Sequence, residues 1–448
     1  MSHRLFGTDG VRGVANTDLS PMLAMRMGLA AGTFFGRGKE HPVFVVGLDS
    51  RLSGPMLESA LAAGLSSTGG TVLTPGLMPT PAVACITREI GADAGVVISA
   101  SHNPFQDNGI KFFGPDGYKL DDAIEDELEL LVKKAFDLPR PSGAGVGKII
   151  RDTSLLDHYA AHVEETIRPD SLAGFKVIID AANGAASALA PRIFEELGAT
   201  VVAINCNPNG LNINHQCGAL HPEGMQALVK KEGADVGIAL DGDADRLILC
   251  DENGNNVDGD RIMGICGMDL ADRGELAGNT VVATVMSNMG LEIALRKRGI
   301  TLARTNVGDR YVSERMRAEG YVIGGEKSGH LIFGNLTTTG DGIVTALQIL
   351  RVMRRSGQKL SEMASFMTEY PQLLLNIKVT DRNAWRTDGG FQDLLADVEK
   401  QLEGEGRINV RASGTEQLVR VMVEAADKER VDFYSQKVAT VVREKWGV

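Results

Sequence analysis

One pattern, used three times, constrains this chain more than any other feature. A short run rich in Val and Ile ends in a turn and leads into a helix-like segment. The copies are VFVVGLDSR at 43–51, KVIIDAANG at 176–184 and TVVATVMSN at 280–288. β-Branched runs bounded by Gly and Asn read as buried strands. The segments behind the first two, 55–67 and 187–197, read as helices, and strands alternating with helices imply α/β layers. Each copy also has a second strand running into a polar, Gly-containing loop: GVVISASHNP at 95–104, VGIALDGDADR at 236–246 and YVIGGEKSGH at 321–330. Open α/β sheets bind ligands at the carboxyl ends of their strands, which makes these loops the first candidates for function.

The remainder of the chain follows another plan. Residues 373–379, 406–410 and 418–424 read as strands and 427–446 as an amphipathic helix, a smaller α+β domain behind a linker at Glu369-Tyr370-Pro371. A length of 448 residues fits three or four domains at roughly 100–200 residues each. The expected boundaries are 1–155, 156–256, 257–369 and 370–448. The first three domains carry one polar loop apiece, and the fourth carries RASGTEQ at 411–417.

Charge and cysteine usage exclude several classes. A net charge of −12 disfavours a nucleic-acid or anionic-membrane partner, since both require a basic face. Cys85, Cys206, Cys217, Cys250 and Cys266 are odd in number and form no CxxC, so neither a disulfide framework nor a zinc site is expected. Cys85 and Cys250 lie in apolar runs and read as core. The start, MSHRLFGTDG, has no apolar signal core, and no uncharged apolar run reaches the ~18 residues that span a bilayer. A cytoplasmic chain is expected.

The loops differ in chemistry. In SASHNP, Ser101 and His102 adjoin in a turn set by Asn103-Pro104. Acyl transfer, a plain polar turn and a serine holding a phosphoryl group are all open at this point. Asp241, Asp243 and Asp245 place carboxylates at alternate positions, where they repel one another unless a cation lies between them. Oxygen ligands favour Mg²⁺ or Ca²⁺. With Glu252 the run mimics an EF-hand, but Arg246 holds the position that needs Gly, and 247–250 resumes a strand. Arg246 is placed to face a phosphate. GEKSGH offers Glu326 and Ser328 for sugar hydroxyls and His330 for proton transfer. In RASGTEQ, Arg411 brings a forked cation, and Ser413, Gly414 and Thr415 bring hydroxyl and backbone donors suited to phosphate. No GxGxxG follows a strand, and no Walker loop is present.

Together, and in this order, ISASHNP, DGDADR, GEKSGH and RASGTEQ resemble the phosphoserine, metal, sugar and phosphate loops of the α-D-phosphohexomutase family. LFGTDGVRG and TNVGDRYV at 305–312 resemble its amino-sugar branch. The resemblance implies mixed sheets and four domains around a central cleft. It implies that Ser101 is phosphorylated and that Asp241, Asp243 and Asp245 bind one Mg²⁺ per chain together with the seryl phosphate. Lys111, Arg12 and Arg246 would lie by the transferring group, with Lys111, His330 and His102 as acid/base candidates. Glu326 and Ser328 would contact the sugar, and Arg411, Ser413, Gly414 and Thr415 the distal phosphate. The implied substrate is a small hexosamine phosphate, with glucosamine 1,6-bisphosphate as priming intermediate, and the fourth domain is expected to close over the cleft. A homodimer, a neutral-hexose mutase and a Mg²⁺-dependent sugar phosphatase stay open. Ala244 stands where many members have Gly, which the added methyl alone should make harmless, and Gln417 where many have Pro.

Overall fold

The computed structural model describes residues 4–7, 9–413 and 416–448. Two compact units emerge. One comprises 1–284 with 303–364, the other 285–302 with 365–448.

The larger unit is built from three mixed sheets. The first has six strands in the order Val11–Val14, Asp107–Phe113, Ala94–Ile98, Val43–Leu48, Thr71–Leu77, Ile149–Arg151. Val43–Leu48 pairs in parallel with both neighbours, whereas Asp107–Phe113 turns back antiparallel to Ala94–Ile98. Helices Pro21–Phe35 and Gly54–Ser67 cover one face, burying Met27, Leu57, Leu61 and Leu65 in one core with Phe44, Val46 and Val96. The first helix starts where Pro21 presets φ and the Ser20 side chain accepts a bond from Leu23 N.

The second sheet runs Asn256–Val257, Leu247–Asp251, Val236–Leu240, Lys176–Asp180, Thr200–Ile204. The third runs Thr301–Thr305, Thr280–Thr284, Ile323–Gly325, Leu331–Phe333. The helix expected at 187–197 spans Leu189–Glu196, and the one expected at 55–67 spans Gly54–Ser67. The mixed α/β architecture matches the expectation.

A detail absent from the pattern reading recurs in all three sheets. Each polar loop is the tip of an antiparallel hairpin. Ile98 pairs with Ile110, Leu240 with Leu247 and Gly325 with Leu331. A hairpin holds its loop at both ends by ladder hydrogen bonds, which restrains a tip better than a strand-to-helix crossover does. Leu247–Asp251 being a strand also removes the EF-hand reading.

In the smaller unit, Gln372–Lys378, Leu418–Ala425 and Gly406–Ala412 form an antiparallel sheet with Leu418–Ala425 central. Val419, Val421 and Val423 bury one face against Gly389–Leu402 and Lys428–Trp446. Asp388 and Asp427 cap these helices by accepting from Phe391 N and Arg430 N, each at 2.8 Å. The segment before Met289 is tied to this sheet by Arg407, which donates to Val285 O at 2.9 Å and Ser287 O at 2.6 Å. Buried Glu424 accepts from Met289 N at 2.8 Å and Arg407 Nε at 2.7 Å. Among the described residues, no helix is long and apolar enough to cross a membrane. All five cysteines are free, and Cys217, which the sequence leaves in a polar loop, is buried.

Candidate active site

The hairpin tips of the first two sheets meet. Ser101 is 1% exposed, and its Oγ donates to Asp241 Oδ2 at 2.7 Å. The tips approach closely because residue 242 is Gly: a Cβ there would stand 2.7 Å from Ser101 O and 2.9 Å from Asn214 Nδ2. Any larger residue would push the serine and carboxylate loops apart.

Ser101 has φ +52°, a left-handed conformation that non-glycine residues seldom adopt. Its surroundings hold it there. Buried Arg51 donates from Nη2 to Ser101 O and Asn103 O, both at 2.9 Å, and from Nη1 to Asp107 O at 3.0 Å and to Pro104 O. Arg51 is fixed by Asp49, whose Oδ2 accepts from Arg51 Nε at 2.9 Å and Ser99 Oγ at 2.6 Å. Ser99 Oγ accepts in turn from Ser101 N at 2.9 Å. From the second domain, Asn214 Nδ2 donates to Ser101 O at 2.9 Å and Asn103 O at 3.1 Å. Backbone strain of this kind persists only where neighbours over-determine it, as they do here.

Asp241, Asp243 and Asp245 are buried, with one oxygen of each within 4.8 Å of the others. Their protein partners are unevenly shared. Asp243 Oδ2 accepts from Lys111 Nζ at 2.9 Å and Thr80 Oγ1 at 2.6 Å, and Asp241 Oδ1 from Arg246 N at 3.2 Å. Asp243 Oδ1 and Asp245 Oδ1 are buried and accept no hydrogen bond. Burial and the other two carboxylates push Asp241 well above the usual range. Asp245, despite its burial, is held well below it by Lys111, His330 and Arg246. Two unpartnered carboxylate oxygens beside a crowded third are a donor set that fits a hard divalent cation such as Mg²⁺.

Lys111 is buried, and Asp243 and Asp245 outweigh its desolvation to raise its pKa, so it stays an ammonium. His102 Nδ1 stands 3.3 Å from Ser101 Oγ, and burial with Arg246 and Arg12 pushes its pKa down to about 4. The ring is therefore neutral at pH 7. Arg12 pairs with Asp9 at 3.3 Å, and Arg246 Nε stands 3.8 Å from Asp245. His330 is buried in the third sheet's loop. Its Nδ1 is 3.7 Å from Asp245 and its Nε2 accepts from Gly340 N at 3.0 Å, which places the neutral ring's proton on Nδ1. Glu326 is half-buried, accepting from Gly308 N at 3.1 Å, and Ser328 is exposed, 3.4 Å from Glu326 Oε2.

Residues that pattern reading passes over complete this centre. Thr80, Asp49, Ser99, Arg51 and Asn214 brace it, and Lys119 joins Asp9 and Asp309 beside His330. Asp9 and Asp309 lie inside the FGTDG and VGDRY segments, whose sequence was the available signal.

The smaller unit holds a second polar cluster. Arg411 and Arg420 are direct cross-strand partners. Burial and Arg420 lower the pKa of the Arg411 guanidinium. Arg420 Nη2 lies 3.4 Å from Ser413 Oγ, and Arg382 Nη1 donates to Ser413 O at 2.8 Å. Like charges placed opposite each other cost stability unless an anion joins them. Gly414 and Thr415 lie outside the described residues. Gln417 Nε2 donates to Thr380 O at 3.0 Å.

Ala244 requires a correction. Its methyl is accommodated, but its φ is +58°, so the residue bears a left-handed backbone cost of roughly 1–2 kcal/mol that Gly would avoid.

Known proteins share these features along the whole chain. Phosphoglucomutase/phosphomannomutase alpha/beta/alpha domains I, II and III match residues 3–138, 157–254 and 258–370, and the C-terminal domain of that family matches 374–441. Phosphoglucosamine mutase of Thermoanaerobacter sp. (strain X514) is 52% identical over 444 residues, covering 99% of both chains. The protein of that name from Symbiobacterium thermophilum is 52% identical over 98% of this chain and 99% of its own. Among solved structures, a phosphoglucomutase/phosphomannomutase family protein from Burkholderia thailandensis aligns with TM-score 0.81 at 24% identity, covering 99% of this chain and 98% of its own. Aspergillus fumigatus N-acetylphosphoglucosamine mutase, in complex with GlcNAc-6P and magnesium, aligns with TM-score 0.69 at 20% identity, covering 98% and 95%. At these identities the structural likeness speaks to fold.

Proposed function

This chain belongs to the α-D-phosphohexomutase family, and on that premise we propose that it interconverts glucosamine 6-phosphate and glucosamine 1-phosphate through a phosphorylated Ser101. The observation that carries the reading is Ser101 Oγ, 2.7 Å from Asp241 Oδ2 at the edge of a buried three-carboxylate cluster. The likeness to phosphoglucosamine mutases along 99% of the chain supports the amino sugar as substrate.

Phosphoryl transfer demands positioning and charge neutralisation above all. Asp241, Asp243 and Asp245 would hold a Mg²⁺ ion, which when bound neutralises charge on phosphoryl oxygens. The chain's own residues supply the rest. The Arg51 and Asn214 bonds fix the Ser101 carbonyl and aim its Oγ. Lys111, kept cationic, offers a second positive charge, and Arg12 and Arg246 add theirs from the half-exposed side. In the forward step the P–O bond to Ser101 breaks as a bond to a sugar hydroxyl oxygen forms, that hydroxyl losing its proton and Ser101 Oγ regaining one. A 1,6-bisphosphate results, and the reverse step with its other phosphate restores phosphoserine. Neutral His102 beside Ser101 is the base this geometry favours. His330, turned to Asp245 and Gly340, acts as a positioning group for the carboxylate. Glu326 and Ser328 would meet sugar hydroxyls, and Arg411, Ser413, Gly414 and Thr415 the phosphate that is not reacting.

The test is kcat/KM on glucosamine, glucose and mannose 6-phosphates with Mg²⁺ and the matching 1,6-bisphosphate. A preference for glucosamine 6-phosphate of about tenfold, ~1.4 kcal/mol in transition-state binding, is expected. Equal turnover of the neutral hexoses would overturn the amino-sugar assignment and leave the phosphoserine chemistry standing.

A further inference from the structure

Away from the carboxylate centre, three side chains with metal-binding chemistry converge. Cys85 and Glu89 are four residues apart on helix Thr80–Glu89, and so share a face. His162 reaches them from helix Leu155–Glu165. One ligand atom from each lies within 4.8 Å of the others.

The hydrogen bonding around His162 supplies an independent observation. Its Nε2 stands 3.1 Å from Leu336 O. A carbonyl only accepts, so Nε2 carries a hydrogen and Nδ1 is left with a lone pair. That nitrogen lies 2.9 Å from Glu89 Oε1. A lone pair set against a carboxylate oxygen repels it unless a cation stands between them, either a proton or a metal ion. Cys85 Sγ completes the choice. Thiolate, imidazole and carboxylate together suit a borderline-soft ion, and a backbone carbonyl on the far ring nitrogen is the usual support for a metal-bound histidine.

We propose that Cys85, Glu89 and His162 form a binding site for a divalent transition-metal ion of the zinc class, with a fourth position open to water. On binding, the Cys85 S–H bond breaks, sulfur bonds to the metal and the proton leaves to solvent. The side chains of His162 and Glu89 are 19% and 35% exposed, which gives an ion a way in. The sequence pointed away from zinc because it has no CxxC, but here the partners come from two helices and a carbonyl from a third segment. The helix that carries Cys85 begins at Thr80, the residue that bonds Asp243. An ion would thus pin the far end of that helix to its neighbour.

The experiment adds Co²⁺ to the chelator-stripped full-length protein in excess Mg²⁺. The Asp cluster is silent in this readout, because only sulfur gives a thiolate-to-cobalt charge-transfer band. One equivalent should produce the band, Zn²⁺ should bleach it, and Cys85→Ser should abolish it. Glu89→Gln and His162→Gln, at partly exposed positions, should each weaken Zn²⁺ binding by at least about tenfold, and they serve if the cysteine variant fails to fold. A wild-type protein with no such band, as an imidazolium–carboxylate pair would give, overturns the proposal. So does a band that survives Cys85→Ser, or Zn²⁺ affinity unchanged in both glutamine variants.

Discussion

The two polar clusters of this protein are built on opposite principles. Around Ser101 the carbonyl oxygens of 101, 103, 104 and 107 are already engaged, and three buried carboxylates are packed together. Around Ser413 the dominant groups are cations, Arg411 facing Arg420 across a ladder with Arg382 alongside. The first is braced in advance, as fits a group whose atoms react. The second is kept in mutual repulsion, as fits a surface that an arriving anion relaxes. Under the proposed function, rigidity falls where bonds would change and electrostatic tension where a ligand would be gripped and let go.

The contrast can be broken most severely at Asp243. Replacing it with Asn leaves buried Lys111 with only the more distant Asp245 carboxylate, 3.7 Å away, and takes a charge from the cluster. Turnover should fall by about 10²–10³-fold, with a weakened Mg²⁺ dependence. Steady-state kcat across a Mg²⁺ titration checks this, with circular dichroism confirming the fold.

A milder change sharpens the picture of the braced site. Ala244→Gly should raise stability by up to about 1 kcal/mol, because the left-handed backbone at φ +58° no longer opposes a Cβ. Denaturant unfolding reads it, and an unchanged or lower midpoint would show that chain entropy in the unfolded state outweighs that cost.

The smallest effect belongs to the other cluster. Arg420→Gln removes one of two facing cations, so the ligand-free chain should gain on the order of 0.5 kcal/mol. Stabilisation by added inorganic phosphate should shrink in the same variant. Thermal shifts with and without phosphate measure both. A loss of stability in the free chain would mean that the Arg420–Glu416 pair at 3.6 Å outweighs the repulsion.

Much of the fold was legible in the sequence. Val- and Ile-rich runs ending in polar turns mark buried strands whatever the chain does, and the amphipathic period of 427–446 marks the last helix. The loops were legible too, because a metal or phosphate site needs particular side chains close together in sequence. What stayed hidden depends on main-chain partners or on distant register. Arg51 ends a run that reads as a plain strand and turn, and nothing in its neighbours says that it grips carbonyls at 101–107. Arg420 becomes the partner of Arg411 only through strand register. The backbone of Ala244 left no mark because alanine fits almost anywhere by size.

Arg51 has a consequence for how this protein can change over time. All four of its contacts to the loop at 101–107 are to carbonyl oxygens, those of Ser101, Asn103, Pro104 and Asp107. Every amino acid carries that oxygen. The anchor is therefore indifferent to the side chains at positions such as 105 and 106, which can be rewritten by an engineer without unmooring the loop, whereas position 102 is held by its place beside Ser101. The permissiveness of the tip rests on the intolerance of one arginine whose guanidinium meets only main-chain oxygens there.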